Sequence, residues 1–118
     1  MRQPPSIDAF GDGGFRVSGA RHDGSLLILD DQPLGWSGQV LADLTLDDFS
    51  AVIAAGPAVV EFVLLGTGAS AGLPPRAVRD GLKAAGIGLE YMSTEGAART
   101  YNILATQGRR IAAALIAV

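Results

Sequence analysis

The sequence predicts a single α/β domain, a mixed β-sheet with helices packed against it, and three observations carry that reading. Residues 59–65, VVEFVLL, are β-branched and apolar apart from Glu61, the composition of a strand covered on both faces. That strand empties into a small-residue loop, 66–72, and Pro74-Pro75 then opens a helix. From residue 45 onward the hydrophobic period switches repeatedly, giving a helix and then β-α-β-α-β. At 118 residues the chain has room for one domain, residues 1–118, with one core.

Taken in order, residues 1–13 read as a loosely ordered, proline-containing polar arm. Phe15-Arg16-Val17-Ser18 alternates as a half-exposed strand does, and residues 25–29 form a second strand. The Asp23-Gly24 turn signal within 19–24 makes these two an antiparallel hairpin with a loop of moderate length. Residues 30–35 form another turn, and Trp36 begins a short extended piece to Ala42. Thr45, with Asp48 three residues on, resembles a capping box carrying Asp in place of Glu or Gln. Leu46, Phe49, Val52 and Ile53 keep the helical period until Gly56-Pro57 stops it. After the apolar strand, Ala77, Val78, Leu82 and Ala85 form the inner stripe of a helix that ends at Gly86. Residues 87–92 are the next strand. Ser93 or Thr94 caps a third helix to about Gln107, with Ala97, Ala98, Tyr101, Leu104 and Ala105 on one face. Residues 110–117 make the last strand.

Composition removes several classes of function. The chain is 48% hydrophobic and 18% charged, a folding sequence and not a disordered one. Nine Lys+Arg against twelve Asp+Glu give a net charge of −3, and the basic residues are scattered, so no nucleic-acid footprint is expected. The absence of cysteine removes thiolate chemistry and cysteine metal sites, and a single histidine, His22, has no partner at metal-ligand spacing. No metal and no cofactor is expected. Mean hydropathy is +0.31, but the charge-free run 62–75 holds three glycines and two prolines, which excludes a membrane span of about 20 apolar residues. With no signal-peptide h-region, the expectation is a cytoplasmic protein.

The candidate chemistry is sparse. Gly66-x-Gly68-x-x-x-Gly72 is one residue longer than the dinucleotide fingerprint, and Glu90 stands inside the next strand and not at its end. Backbone amides at this loop could hold a carboxylate or phosphate at the helix start, although a tight packing turn is the preferred reading. His22 sits in an expected turn and faces solvent. Glu61, a carboxylate in an apolar strand, calls for solvent or an Arg partner. Ser70 lacks the Gly-x-Ser-x-Gly turn of a serine hydrolase, and no nucleophile–base arrangement emerges, so no catalytic residue is assigned. On the third helix Arg99, Tyr101 and Asn102 are large hydrogen-bonding groups among alanines. Tyr101 is expected to bury its ring and Asn102 to bond loop backbone, locking the helix to the sheet. The candidate ligand or partner site is therefore Gly66, Thr67, Gly68, Arg99, Tyr101 and Asn102.

FVLLGTG (62–68), Leu73-Pro74-Pro75, GIGLEYM (86–92), Thr94, RTYN (99–102) and GRRIAAAL (108–115), with the early pieces 15–29 and Gly35-Trp36, together resemble one small domain family. It includes the mitochondrial complex I assembly factor 3, an adipogenesis-associated cytosolic protein, and bacterial and archaeal relatives. The resemblance covers nearly the whole chain. It implies a three-layer fold, a β-rich layer plus helices around a central mixed sheet, and implies no established reaction. The functional expectation is a non-enzymatic, assembly-factor-like domain with a protein partner. The alternative is a protein or enzyme that binds a small anionic ligand at the 66–72 loop. An alanine-, glycine- and arginine-rich composition with one lysine points to a bacterium with a GC-rich genome.

Overall fold

The structure, a computed structural model, describes residues 3–118. Its centre is a five-stranded mixed sheet in the order β5-β4-β8-β6-β7, formed by β4 (Leu26–Leu29), β5 (Gln32–Gly35), β6 (Phe62–Gly66), β7 (Gly88–Met92) and β8 (Ile111–Leu115). β6 runs parallel to both β7 and β8, whereas β4 is antiparallel to β5 and β8. A second sheet, β1 (Ile7–Gly11), β2 (Gly14–Val17) and β3 (Ala20–Asp23), is a three-stranded meander. The helices are α1 (Ser50–Ala55), α2 (Arg76–Ala84) and α3 (Thr94–Thr106), with short 3-10 turns at Leu41–Asp43 and Leu46–Phe49.

Side-chain alternation along the central strands builds the layers. Val63 and Leu65, Ala112 and Ala114, and Leu27 point to one face, where Phe49, Val52, Val78 and Leu82 from the α1 and α2 side complete a core. Leu64, Ala113, Leu115, Leu26 and Ile28 point to the other, against Ala97, Ala98, Tyr101 and Ala105 of α3 and Ile7, Phe15 and Val17 of the small sheet. This is the expected three-layer arrangement, with α1 and α2 on one face, and α3 and a β-layer on the other. Small residues bring α3 close to β6 and β8, since alanines stand on both surfaces.

The expected capping box is present: the Asp48 carboxylate accepts from the Thr45 amide at 2.9 Å. It opens a 3-10 turn that leads into α1, and not an unbroken helix. Trp36 secures the same corner, donating from Nε1 to the Asp48 carbonyl at 2.7 Å and meeting the Phe49 ring edge-on. On α2 the inner stripe is Val78 and Leu82, while Ala77 faces solvent.

The N-terminal third departs from expectation. Of the expected arm 1–13, residues 7–11 are β1, and residues 1 and 2 lie outside the described residues. The two strands read as one hairpin, 15–18 and 25–29, lie in different sheets; the strand beyond β2 is β3, formed by the supposed loop. His22 is therefore a strand residue opposite Phe15, not a turn residue. The cause is two two-residue turns, Asp12-Gly13 and Ser18-Gly19, in which both central residues have positive φ, the conformation that closes tight hairpins. Asp30-Asp31 does the same between β4 and β5, at φ 50° and 64°.

Candidate functional site

The connections leaving β6 and β7 depart to opposite faces of the sheet, one into α2 and the other into α3. The crevice between two such connections, beyond the carboxyl ends of the strands, is where open α/β sheets place ligands. Gly66, Thr67 and Gly68 lie there, as expected. The crevice is closed by the chain itself. The Thr67 amide donates to the Met92 carbonyl at 2.8 Å, and the Thr94 amide donates to the Gly68 carbonyl at 2.8 Å. The Gly68 amide is taken by Thr94 Oγ1 at 3.0 Å, and that hydroxyl donates to the Ile116 carbonyl at 2.7 Å. Ile116 in turn donates its amide to Gly66 O at 3.0 Å.

Thr67 is buried, and its hydroxyl lies 2.7 Å from the Ser70 carbonyl and 3.1 Å from that of Met92. Gly66 leaves no room for a side chain: a Cβ there would stand 2.9 Å from Leu115 Cδ2, Thr94 Cα and Thr94 Oγ1. The amides that an anion would need at Thr67 and Gly68 are thus spent on backbone and hydroxyl oxygens of neighbouring connections. Thr94, fully buried, is the residue that the list of candidates missed. Its position as the first residue of α3, just past the Ser93 cap, concealed it, because a threonine there reads as helix-start chemistry. Ser93 does the capping, accepting from the Gly96 amide at 3.2 Å.

The α3 candidates separate. Tyr101 is buried in the core against the small sheet. Asn102 clasps strand β1 in the manner of a neighbouring strand: Oδ1 accepts from the Ile7 amide and Nδ2 donates to the Ile7 carbonyl, both at 2.9 Å. Arg99 instead faces solvent and reaches Glu95 one helical turn back at 3.7 Å. Hence Gly66, Thr67 and Gly68 cluster with Thr94, while Asn102 and Tyr101 work at the opposite sheet and Arg99 stands apart on the outer surface.

Glu61 precedes β6 and meets Arg109 at 3.1 Å. The hydrogen bond from Arg109 holds its carboxyl below the ordinary range, against a smaller opposing effect of desolvation. Asp8 is held low as well, by the Ser6 hydroxyl and then the Gly19 amide. Both are exposed surface arrangements. Among the described residues no group of acids and histidine could hold a metal ion, and no helix is long and apolar enough to cross a membrane.

Two larger grooves flank the outer strand β7. One, of about 450 Å³, lies on the α2 side and is lined by Arg79, Lys83, Ile87, Leu89 and Tyr91. The other, of about 510 Å³, lies on the α3 side and includes Phe62, Glu90, Met92, Leu104 and Arg109.

Mixed sheet, closed switch-point crevice and strand-clasping asparagine define a small three-layer α/β domain whose polar groups at Thr67, Thr94 and Asn102 serve its own backbone. The chain belongs to the family described as "Protein of unknown function (DUF498/DUF598)", whose model matches residues 7–116. An uncharacterized protein of Rhodobacter capsulatus is 41% identical over 93% of this chain and 82% of its own length. The human NADH dehydrogenase [ubiquinone] 1 alpha subcomplex assembly factor 3 is 32% identical over 93% of this chain, which spans 59% of that relative. Among solved structures, an outer membrane protein from Bartonella henselae superposes with a TM-score of 0.88 at 35% identity, covering 98% of this chain and 96% of that one.

Proposed function

We propose that this chain works by binding protein, as an assembly-factor-like domain, and not by turning over a small molecule. The observation that carries the reading is the 32% identity to the human NADH dehydrogenase assembly factor 3, which extends over 93% of this chain. The site geometry agrees with it. Where an α/β enzyme would open its crevice, Thr94 and the 66–68 loop bond to each other. On the same reading the partner is a protein component of an NADH dehydrogenase or its precursors, and the chain acts in the cytoplasm of a bacterium.

The test is deletion of the gene in the organism that encodes it, followed by native gel electrophoresis of NADH dehydrogenase. Accumulation of subassemblies at the expense of the complete enzyme, restored by the wild-type gene, is the expected result. A normal complement of complete enzyme would overturn the proposal. So would a saturable, Thr67-dependent rise in melting temperature with one anionic metabolite, since that result requires an open ligand site.

A further inference from the structure

The edges of the two sheets are treated differently, and the exception is informative. An unpaired edge strand offers a row of amides and carbonyls to any passing chain, and proteins blunt such edges with proline, bulges or charge. Edge β5 carries Pro33. Edge β1 has a register shift between Ile7 and Ala9 and is clasped by Asn102. Edge β3 is polar and exposed, with the Arg21 guanidinium folded over the Gly11 and Asp12 carbonyls. Edge β7, Gly88–Met92, has no proline and no bulge, and its one charged residue, Glu90, lies on the α3 side; its five residues pair in unbroken register with β6.

The direction of its free groups follows from the bonds it makes. The Gly88 amide donates to the Glu61 carbonyl, and the Met92 carbonyl accepts from the Thr67 amide, so residues 88, 90 and 92 turn their backbone groups towards β6. Strand alternation turns those of Leu89 and Tyr91 outward. Tyr91 is also one of the large hydrophobic residues left exposed, at 40%. On the α2 side of this edge lie Arg79 and Lys83; Arg79 donates from Nε to the Pro74 carbonyl at 3.1 Å, and among the described residues neither meets a carboxylate, whereas their helix neighbour Arg76 has Asp80. On the α3 side the groove is lined by the apolar Phe62, Met92 and Leu104 together with Glu61, Glu90 and Arg109.

We infer that the edge of β7 is a docking site for an extended, acidic segment of a partner protein, which adds to the sheet as a sixth strand. Its backbone bonds to Leu89 and Tyr91. Its alternate side chains fall into the two grooves, acidic ones against Arg79 and Lys83 and apolar ones against Phe62, Met92 and Leu104. A second copy of this chain is disfavoured as the occupant. Antiparallel pairing of two β7 strands about a two-fold axis normal to the sheet keeps the α2 layers on one side, which brings Arg79 and Lys83 of each copy towards those of the other.

This inference rests on the protein-binding reading above, but its test reports on the edge alone, whereas NADH dehydrogenase assembly reports on that reading. The probe is an end-blocked heptapeptide of alternating valine and glutamate, used below its own self-association concentration, with valine–lysine as the counterpart. Amide hydrogen exchange is followed by NMR. The expected result is saturable binding of the valine–glutamate peptide, with exchange at Leu89 and Tyr91 slowed and the valine–lysine peptide inert. Charge reversal at Arg79→Glu with Lys83→Glu should weaken binding by about tenfold or more. Tyr91→Pro, which removes an outward amide and none of the bonds to β6, should abolish it. Failure of the valine–glutamate peptide to bind, or binding that leaves Leu89 and Tyr91 exchanging freely, overturns the proposal. Protection of those amides in the free protein that grows with its concentration also overturns it, in favour of a second copy.

Discussion

The carboxyl end and the outer edge of the β6–β7 pair invite comparison. At the crevice beyond Gly66 and Met92, the amides of Thr67 and Gly68, the Gly68 carbonyl and the Thr67 hydroxyl are each matched by another group of the chain. Along the outer edge of β7, backbone groups, the Lys83 ammonium and a tyrosine ring are left for solvent or a partner, and Arg79 is tied to the fold only through the Pro74 carbonyl. The glycine-rich sequence draws attention to the first region, yet the chemistry left over lies in the second. A glycine loop after a buried strand therefore marks close approach of backbone as readily as it marks a ligand cradle.

The sharpest way to break this comparison is to force the crevice open. Gly66→Val should cost about 3 kcal/mol or more, because its Cβ meets Thr94 backbone, which cannot move aside as a flexible side chain would. A shift of the chemical denaturation midpoint at unchanged slope is the expected measurement. A variant as stable as wild type would show that the loop has slack, and hence space for a ligand.

Next in size is Thr94→Val, which keeps the shape but leaves the Gly68 amide and the Ile116 carbonyl without their hydroxyl partner. It should lose about 2 kcal/mol, while Thr94→Ser retains most of the stability. Equal losses in the two variants would mean that packing, and not the hydroxyl, joins the three connections. Asn102→Ala should cost about 1–2 kcal/mol, less than Thr94→Val because water can reach the freed groups of Ile7. Faster exchange of the Ile7 amide would accompany it; an unchanged rate would show that β1 holds without the clasp.

These residues also show how far the sequence could be read. Both faces of β6 and β8 and the three helices were legible because burial on two sides imposes long apolar runs, and a helix one face, that survive in one dimension. The small sheet was not; the third, β-rich layer was implied only by the family resemblance. Strand β3, Ala20–Asp23, is largely exposed and carries Arg21, His22 and Asp23, so it has no apolar period to announce it. Its evidence lay in the Asp12-Gly13 and Ser18-Gly19 dipeptides, which close the two small-sheet hairpins but by residue type do not outrank the Asp23-Gly24 pair to which the hairpin was assigned. Of the site, Gly66–Gly68 and the backbone-bonding role of Asn102 were readable from residue type and helix face. The pairing of Gly68 with Thr94 was not, since 26 residues separate them and only the parallel pairing of β6 with β7 brings them together.

On the edge of β7 the expectation reverses. Tyr91→Thr and Lys83→Gln should change stability by no more than about 0.5 kcal/mol, because neither side chain is spent inside the fold. Superimposable melting curves would confirm that the surface is free. A loss comparable with that of Thr94→Val would mean that the edge belongs to the core after all.

The smallest effect belongs to the Glu61–Arg109 pair, which stands on the α3 side of the same edge. Arg109 hydrogen-bonds Glu61 and holds its carboxyl below the ordinary value of 4.5. A carboxylate whose folded value is depressed contributes stability that is complete above its unfolded value and fades as pH falls through the folded one. The pair therefore acts at neutral pH and disappears on acidification below about the unfolded carboxylate value. Glu61→Gln should leave the stability near neutrality almost unchanged, because both partners are exposed and screened. Its signature is instead a shallower decline of stability with falling pH below that value, which a series of denaturant melts across the acid range would detect. The difference between wild type and variant should shrink further in high salt. A variant whose acid limb coincided with that of wild type at low salt would remove Arg109 as the cause of the depressed carboxyl. An opposite slope would show that Glu61 is protonated more readily in the folded chain than in the unfolded one, with desolvation outweighing the Arg109 hydrogen bond.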